Sequence, residues 1–394
     1  MTLEREGIER EVAAAADSLI ASVWPVTARR EWLRDRAFPV RLWEQAADSG
    51  WFDLLIPEAE GGLGRSAIEA CAVTEATGRH LVPGPFVDTI VLSPAVRRLS
   101  GAGSGPAILC LLHAAGTRGR AANGHAGVRG GAVFAQRLAG EWAVSADHLV
   151  VDAGESVVVV DASDERVHRT PLDGRDAFRQ PCLVDIDGAP IVGVIADGRA
   201  APELRAAVRR LALVMTASEL LGVAHRMLEM SLEYAMNRHQ FGRSIGSFQA
   251  VQHRLADMTV TVESMRSVCY LAQVAARDDD AEADTLAIVA KAHTSAGARE
   301  VAEAALQVHG GIGFTADCDL SLYLLRALSL QSAWGDDRAW CRALGRSTLA
   351  TAAASAEAGS TPPNGERIHG RARRPGEAIM QLRPSTDGAG GEPT

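Results

Sequence analysis

Apolar positions recur at three- and four-residue intervals through the first hundred residues. That period fades between about 105 and 200, then returns. Ile8, Val12, Ala15 and Leu19 form a first helical stripe. "FPVRLWEQAADSGW" predicts a helix closed by Gly50. A loop, "IPEAEGGLGRS", follows, with Ser66 placed to cap the next helix, which ends near Gly78. "HLVPGPF" cannot be helical because of its prolines. In the middle, "GGAVFAQ", "HLVVDA", "SVVVVDA" and "CLVDID" are β-branched runs bounded by Gly, Asp and Ser, the composition of short strands.

From about Pro202 the helical period is sustained. Val208, Leu211, Met215, Val223, Met227, Met230 and Tyr234 mark a long helix, with Glu219 on the same track. Past a corner at Phe241–Gly246, a second stripe runs from Val251 to Cys269, and "ARDDDAEAD" breaks it. A third, through Leu286, Val289, His293, Ala296 and Val301, reaches Val308. "HGGIGF" interrupts, and a fourth helix is expected over about Leu320–Ala354. Four inward stripes imply an antiparallel bundle. The expected fold class is α+β: an N-terminal α-helical domain (1–104), a small middle β-domain (105–200) and a C-terminal four-helix bundle (201–358). The Gly-, Pro- and Arg-rich tail, 359–394, is expected to be disordered.

Charge and composition narrow the function. A formal net charge of -9 argues against nucleic acid, which demands a basic face. Lys291 is the only lysine. The six cysteines show no CxxC spacing, so no metal site is expected and they read as reduced thiols. The charged start, "MTLEREGIEREV", has no apolar signal core, and no run of about 18 apolar residues suggests a membrane span. A cytoplasmic location is the expectation.

The chemistry concentrates in "NRHQFGRSIGSFQ", Asn237 to Gln249. Arg238 suits either a charge-assisted fork to phosphate or a cap on a helix C-terminus. Phe241 suits either a ligand platform or a core. Gly242 and Gly246 let the backbone turn closely. "HGGIGF" is either a helix breaker or a turn with free N–H groups for phosphate oxygens. His253, His293 and His309 need no role beyond packing or hydrogen bonding.

The domain order and four passages resemble the acyl-CoA dehydrogenase family over about residues 3–358. They are "SGWFDLLIPEAEGGLGRSAIEACAVTEATGRHLVPGPF", "YAMNRHQFGRSIGSFQAVQHRLADM", "AKAHTSAGAREVAEAALQVHGGIGF" and "LYLLRALSLQSAWGDD". The second and third are the specific ones. "GRHLVPGPF" resembles the subgroup with steroid-degrading and heteromeric members. The resemblance implies FAD held across a subunit interface. Arg238 would meet the pyrophosphate of a neighbouring protomer's cofactor, Phe241 would pack on that cofactor, and Gln240 and Gln249 would add hydrogen bonds. Gln307, Gly310 and Gly311 match positions at the adenine-diphosphate half. It further implies a homo- or hetero-oligomer, a dimer of dimers, acting on an acyl-CoA or acyl-carrier thioester.

In the family, a carboxylate removes the α-proton of the thioester and the β-hydride passes to the flavin. Many members place that Glu in an aromatic-Glu-Gly-Thr string; here the matching string is Ala333-Trp334-Gly335-Asp336, and an indole cannot accept a proton. Others carry the base on the first bundle helix, about seven turns before the corner arginine. Ala212 and Leu213 fall there, with Arg209 and Arg210 just before. Asp336 and Glu219 remain as candidate catalytic acids. Asp336 is also readable as a solvated or flavin-side group, and Glu219 as half of an ion pair with an arginine. The β-domain lacks the Thr of the family's flavin-supporting strand, and "HAAGTRGRAANGHAGVRGG" replaces its acidic loop. Three functions follow: a subunit contributing FAD contacts to a shared dehydrogenase site, a biosynthetic tailoring enzyme on the same scaffold, or a flavin-free structural partner.

Overall fold

The computed structural model describes residues 7–100, 107–114, 124–335 and 337–357. Five helices open the chain: α1 (Ile8–Val23), α2 (Val26–Asp35), α3 (Val40–Asp48), α4 (Ala67–Arg79) and α5 (Phe86–Ser100). Helix α4 starts where the sequence places a cap. Ser66 accepts from the Ile68 N–H, and Glu69 reaches back to the Ser66 N–H at 2.9 Å, a capping box.

Seven strands follow: β1 (Leu109–Ala114), β2 (His125–Arg129), β3 (Ala132–Glu141), β4 (His148–Asp152), β5 (Ser156–Asp161), β6 (Val167–Pro171) and β7 (Pro181–Asp197). Their order is β2-β3-β1-β4-β5-β7-β6, and β3 also pairs with β7. The ladder β3-β1-β4-β5-β7 therefore closes on itself, with β2 and β6 added at the rims. Closure removes free edges from the ring. Alternation then explains the run of four valines in β5. Val158 and Val160 fill the barrel interior, while Val157 and Val159 pack into the helical core. Strands β1, β2 and β6 were not anticipated from sequence; β2 and β6 are too polar to carry a strand pattern.

The C-terminal part has α6 (Ala200–Asn237), α7 (Gln249–Arg277), α8 (Ala283–His309), α9 (Leu320–Ser332) and α10 (Asp337–Glu357). The single fourth helix expected over 320–354 is in fact two. Ala333 is extended, Trp334 takes φ 58° and Gly335 φ 110°, so helical hydrogen bonding stops there. Helix α6 is long and apolar enough to cross a membrane by length and composition alone, but 89% of that apolar window is buried inside this fold. Its crossing with α4 is made backbone to backbone. A Cβ on Gly78 would lie 2.1 Å from the Glu219 carbonyl oxygen, and one on Gly222 would lie 2.0 Å from that of Glu75. None of the six cysteines forms a disulfide among the described residues. The 359–394 tail lies outside the described residues.

Candidate active site

Two regions gather the residues singled out in the sequence. The first is the end of the bundle where α6 and α8 both stop. Tyr234, in the last turn of α6, stacks on His309, the last residue of α8, with ring centroids 4.5 Å apart. The corner and the glycine turn are thereby brought to one end of the molecule. His239–Gln240 and Arg243–Ser244 form a two-stranded hairpin, with Gln240 paired to Arg243. Its turn is Phe241–Gly242, with φ 53° and 79°. Two positive φ values in a two-residue turn match the strand twist, and Asn-Gly is the usual solution. A phenylalanine in that place costs about 1 kcal/mol of backbone strain. It is also 91% exposed. Arg243 stacks instead on the Phe248 ring, 4.1 Å from its centroid.

The Arg238 guanidinium has no hydrogen-bond or ion-pair partner among the described residues; its backbone is engaged, the N–H donating to the Tyr234 carbonyl and the carbonyl accepting from the Ile245 N–H. Gln240, Gln249, Gln307, Gly310 and Gly311 are exposed as well. Gly310 has φ 63° and ψ -143°, a conformation essentially confined to glycine. Phe314, just past the turn, is 69% exposed. An unpaired guanidinium, a strained exposed aromatic ring and a glycine turn with open backbone fit the phosphate and adenine half of a dinucleotide. All of them are exposed on the surface of their own chain.

The second region is a cleft of about 190 Å³ where the N-terminal helices, the barrel and the bundle meet. Trp334, Trp142, Phe86, Glu219, Asp88 and Glu141 all line it. Arg326 of α9 is the hub of its buried wall. Its Nε donates to Asp176 Oδ2 at 2.6 Å and its Nη1 to Glu219 Oε1 at 2.7 Å. It also donates to the carbonyls of Val82 and Phe178. One side chain, 3% exposed, thus joins all three parts of the fold. Glu219 is engaged by an arginine, the pairing its apolar surroundings require. Nearby, Arg179 pairs with Glu141 and donates to Ser329 Oγ at 3.3 Å.

Trp334 holds the turn between α9 and α10, its carbonyl accepting from Trp340 Nε1 at 3.0 Å. Asp336 lies outside the described residues. Of the arginines near the alternative base position, Arg210 is spent on Asp279 and Asp284, and Arg209 lies over the Trp340 ring. His293 bonds Ser264 and His309 bonds the Ala305 carbonyl; burial lowers the His309 pKa below the ordinary imidazole value.

Sequence reasoning missed Asp88, Asp176, Glu141, Arg179 and Arg326. Arg326 had a signal: a lone charge inside "LYLLRALSL", as Glu219 is inside its own apolar track. Asp88 had none, because an acid in the first turn of a helix is ordinary. Burial pushes its carboxyl up to about 7; the Leu111 N–H opposes this, Glu141 reinforces it and Arg179 opposes it.

Comparison with known proteins agrees with this architecture. Residues 5–100 match the acyl-CoA dehydrogenase N-terminal domain, and residues 203–349 match the acyl-CoA dehydrogenase C-terminal domain. The chain is 30% identical over 331 residues to acyl-CoA dehydrogenase IpdE2 of Mycobacterium tuberculosis, covering 82% of this chain and 91% of that one. Among solved structures, the ChsE4-ChsE5 complex from Mycobacterium tuberculosis superposes with a TM-score of 0.76 at 26% identity, over 89% of this chain and 99% of that one. The Tcur3481-Tcur3483 steroid ACAD gives 0.75 at 26%, over 88% and 98%. The chain belongs to the acyl-CoA dehydrogenase family, a family of FAD-dependent oxidoreductases.

Proposed function

We propose that this chain is one subunit of an oligomeric dehydrogenase that introduces a double bond between the α- and β-carbons of an acyl thioester. In this reading it lends cofactor contacts to a site shared with a partner subunit. One observation carries the reading: the corner hairpin presents Phe241 in a costly left-handed backbone, 91% exposed, beside the unpartnered Arg238. A chain that used these groups internally would bury them. Arg238 forks onto the pyrophosphate, Phe241 packs on the cofactor, and Gln240 and Gln249 donate hydrogen bonds. Gln307, Gly310 and Gly311 meet the adenine-diphosphate half. FAD, when bound, accepts the hydride leaving the β-carbon. The cleft of about 190 Å³ is smaller than the ~300 Å³ or more of sites that enclose a cofactor-sized ligand, so it suits the thioester head of a substrate.

The similarity to a two-component complex and to a steroid dehydrogenase supports a hetero-oligomer acting on a CoA thioester with a polycyclic acyl group. The test is the visible spectrum and mass of the chain expressed alone and with an acyl-CoA dehydrogenase chain encoded beside it. Flavin absorbance in the joint complex, depleted by Arg238→Ala, is the expected result. A chain that alone forms a homo-oligomer with one flavin per protomer and turns over acyl-CoA sinks the reading of an unlike partner subunit, and one whose Arg238→Ala variant keeps all its flavin sinks the shared-site reading.

A further inference from the structure

Three carboxylates line the cleft among the described residues: Glu141, Glu219 and Asp88. Glu141 holds Arg179 and Glu219 holds Arg326. Asp88 holds no arginine. Its Oδ2 accepts the Leu111 N–H at 3.1 Å, and its other oxygen has no partner among the described residues. The side chain stands in the first turn of α5, on the wall formed with Phe86 and Leu111. Its neighbour Thr89 exchanges hydrogen bonds with the Leu109 N–H and carbonyl, which pins α5 to β1 and fixes where Asp88 stands. The groups that act on Asp88 electrostatically are Glu141 and Arg179. The nearby Cys110 thiol is itself pushed well above the usual thiol range, by burial first and then by Asp88, and so carries no charge. Glu219 and Arg326 line the same cleft.

We propose that Asp88 is the proton acceptor of this cleft, the role that Trp334 cannot fill. Its free carboxylate oxygen takes the α-proton of a thioester seated there. The electron pair of the broken C–H bond moves into the carbonyl to give the enolate, and the carboxyl returns the proton when the enolate collapses. The step needs no oxidant. It rests on the reading of the cleft as a thioester site. A carboxyl that titrates near neutrality supplies both the base and the returning acid at physiological pH.

The experiment uses the chain together with its partner subunit, incubated in D2O with a saturated acyl-CoA carrying a polycyclic or branched acyl group. Deuterium at the α-carbon is read by mass spectrometry, and thioester binding is read separately by quenching of tryptophan fluorescence. Asp88→Asn keeps an acceptor for the Leu111 N–H but cannot take the proton. The expected result is unchanged binding within about twofold and exchange slowed by about 100-fold. In the wild-type complex, exchange should reach half its maximum near pH 7. Exchange in Asp88→Asn at the wild-type rate, or a thioester that binds without any wild-type exchange, overturns Asp88 as the acceptor. If Asp88→Asn does not fold, a wild-type profile flat between pH 6 and 8 does the same. A complex that binds no thioester overturns the underlying reading of the cleft instead.

Discussion

The bundle end and the cleft treat charge in opposite ways. At the bundle end, the Arg238 side chain stands in the open with no hydrogen-bond or ion-pair partner among the described residues. In the cleft, Arg326 is sealed from water and bonded on every side. An exposed arginine with nothing to hold is available to a ligand; a buried one with two carboxylates is part of the framework. The difference teaches that residues of one type, on one bundle, divide between those the framework consumes and those it leaves available, and that burial tells which is which.

The comparison can be broken most forcefully at its buried side. Arg326→Ala leaves Asp176 and Glu219 facing each other without a cation, and should destabilise the fold by about 3–5 kcal/mol. Chemical denaturation measures it; a loss under 1 kcal/mol would mean that the hub holds nothing together. Arg238→Ala should do the reverse. Stability should stay within about 0.5 kcal/mol, because the guanidinium is exposed and has no hydrogen-bond or ion-pair partner among the described residues. Flavin affinity of the assembled complex should fall by about 1.5–3 kcal/mol, the range for a charge-assisted hydrogen bond, measured by cofactor retention during dialysis. Unchanged retention would remove the corner from the cofactor site.

A smaller effect is expected at Asp88, with a definite sign. Its folded pKa of about 7 lies above the ordinary 3.8, so the folded state holds a proton that the unfolded state has released. Stability from this group is present in full below about pH 4, falls as pH rises to about 7, and is flat above. Asp88→Asn should therefore be more stable than wild type at pH 8, by about 1–2 kcal/mol after allowing for partial exposure, with the gain vanishing near pH 4. Equal melting curves at both pH values would count against a strained carboxyl. The smallest change belongs to Phe241→Asn. It should relieve the left-handed strain and stabilise the chain by up to about 1 kcal/mol while weakening cofactor retention.

Much of the helical architecture was legible because its signals are local. The Ser66 cap lies within four residues, and the stripes of α6, α7 and α8 need only a 3.6-residue period. The break after α9 was not legible. "LYLLRALSLQSAW" keeps its helical period up to the turn, and only the positive φ of Trp334 and Gly335, fastened by Trp340, ends it. The barrel was half legible: the valine-rich β4 and β5 announce themselves, the polar rim strands β2 and β6 do not, and the apolar β1 was missed although its Leu109, Cys110 and Leu112 are buried. Of the candidate site, the corner stands out in the sequence because its unusual residues are consecutive, Arg238 to Gly242 within one turn. Asp88, Glu141 and Arg326 are brought together by three separate parts of the fold, and no spacing along the chain records that meeting.

The unbroken course of α6 has a consequence for the whole assembly. At about 1.5 Å per residue, Glu219 and Arg238 lie about 28 Å apart on one rod. The glycine contacts at Gly78 and Gly222 clamp the upper part of that rod against sliding. Under the proposed function the helix acts as a gauge, setting how far a subunit's cleft stands from the grip it would extend to its neighbour. A residue inserted or deleted within that span would shorten or lengthen the gauge and turn the grip by about 100° about the axis, so the two half-sites would fall out of phase while each stayed intact.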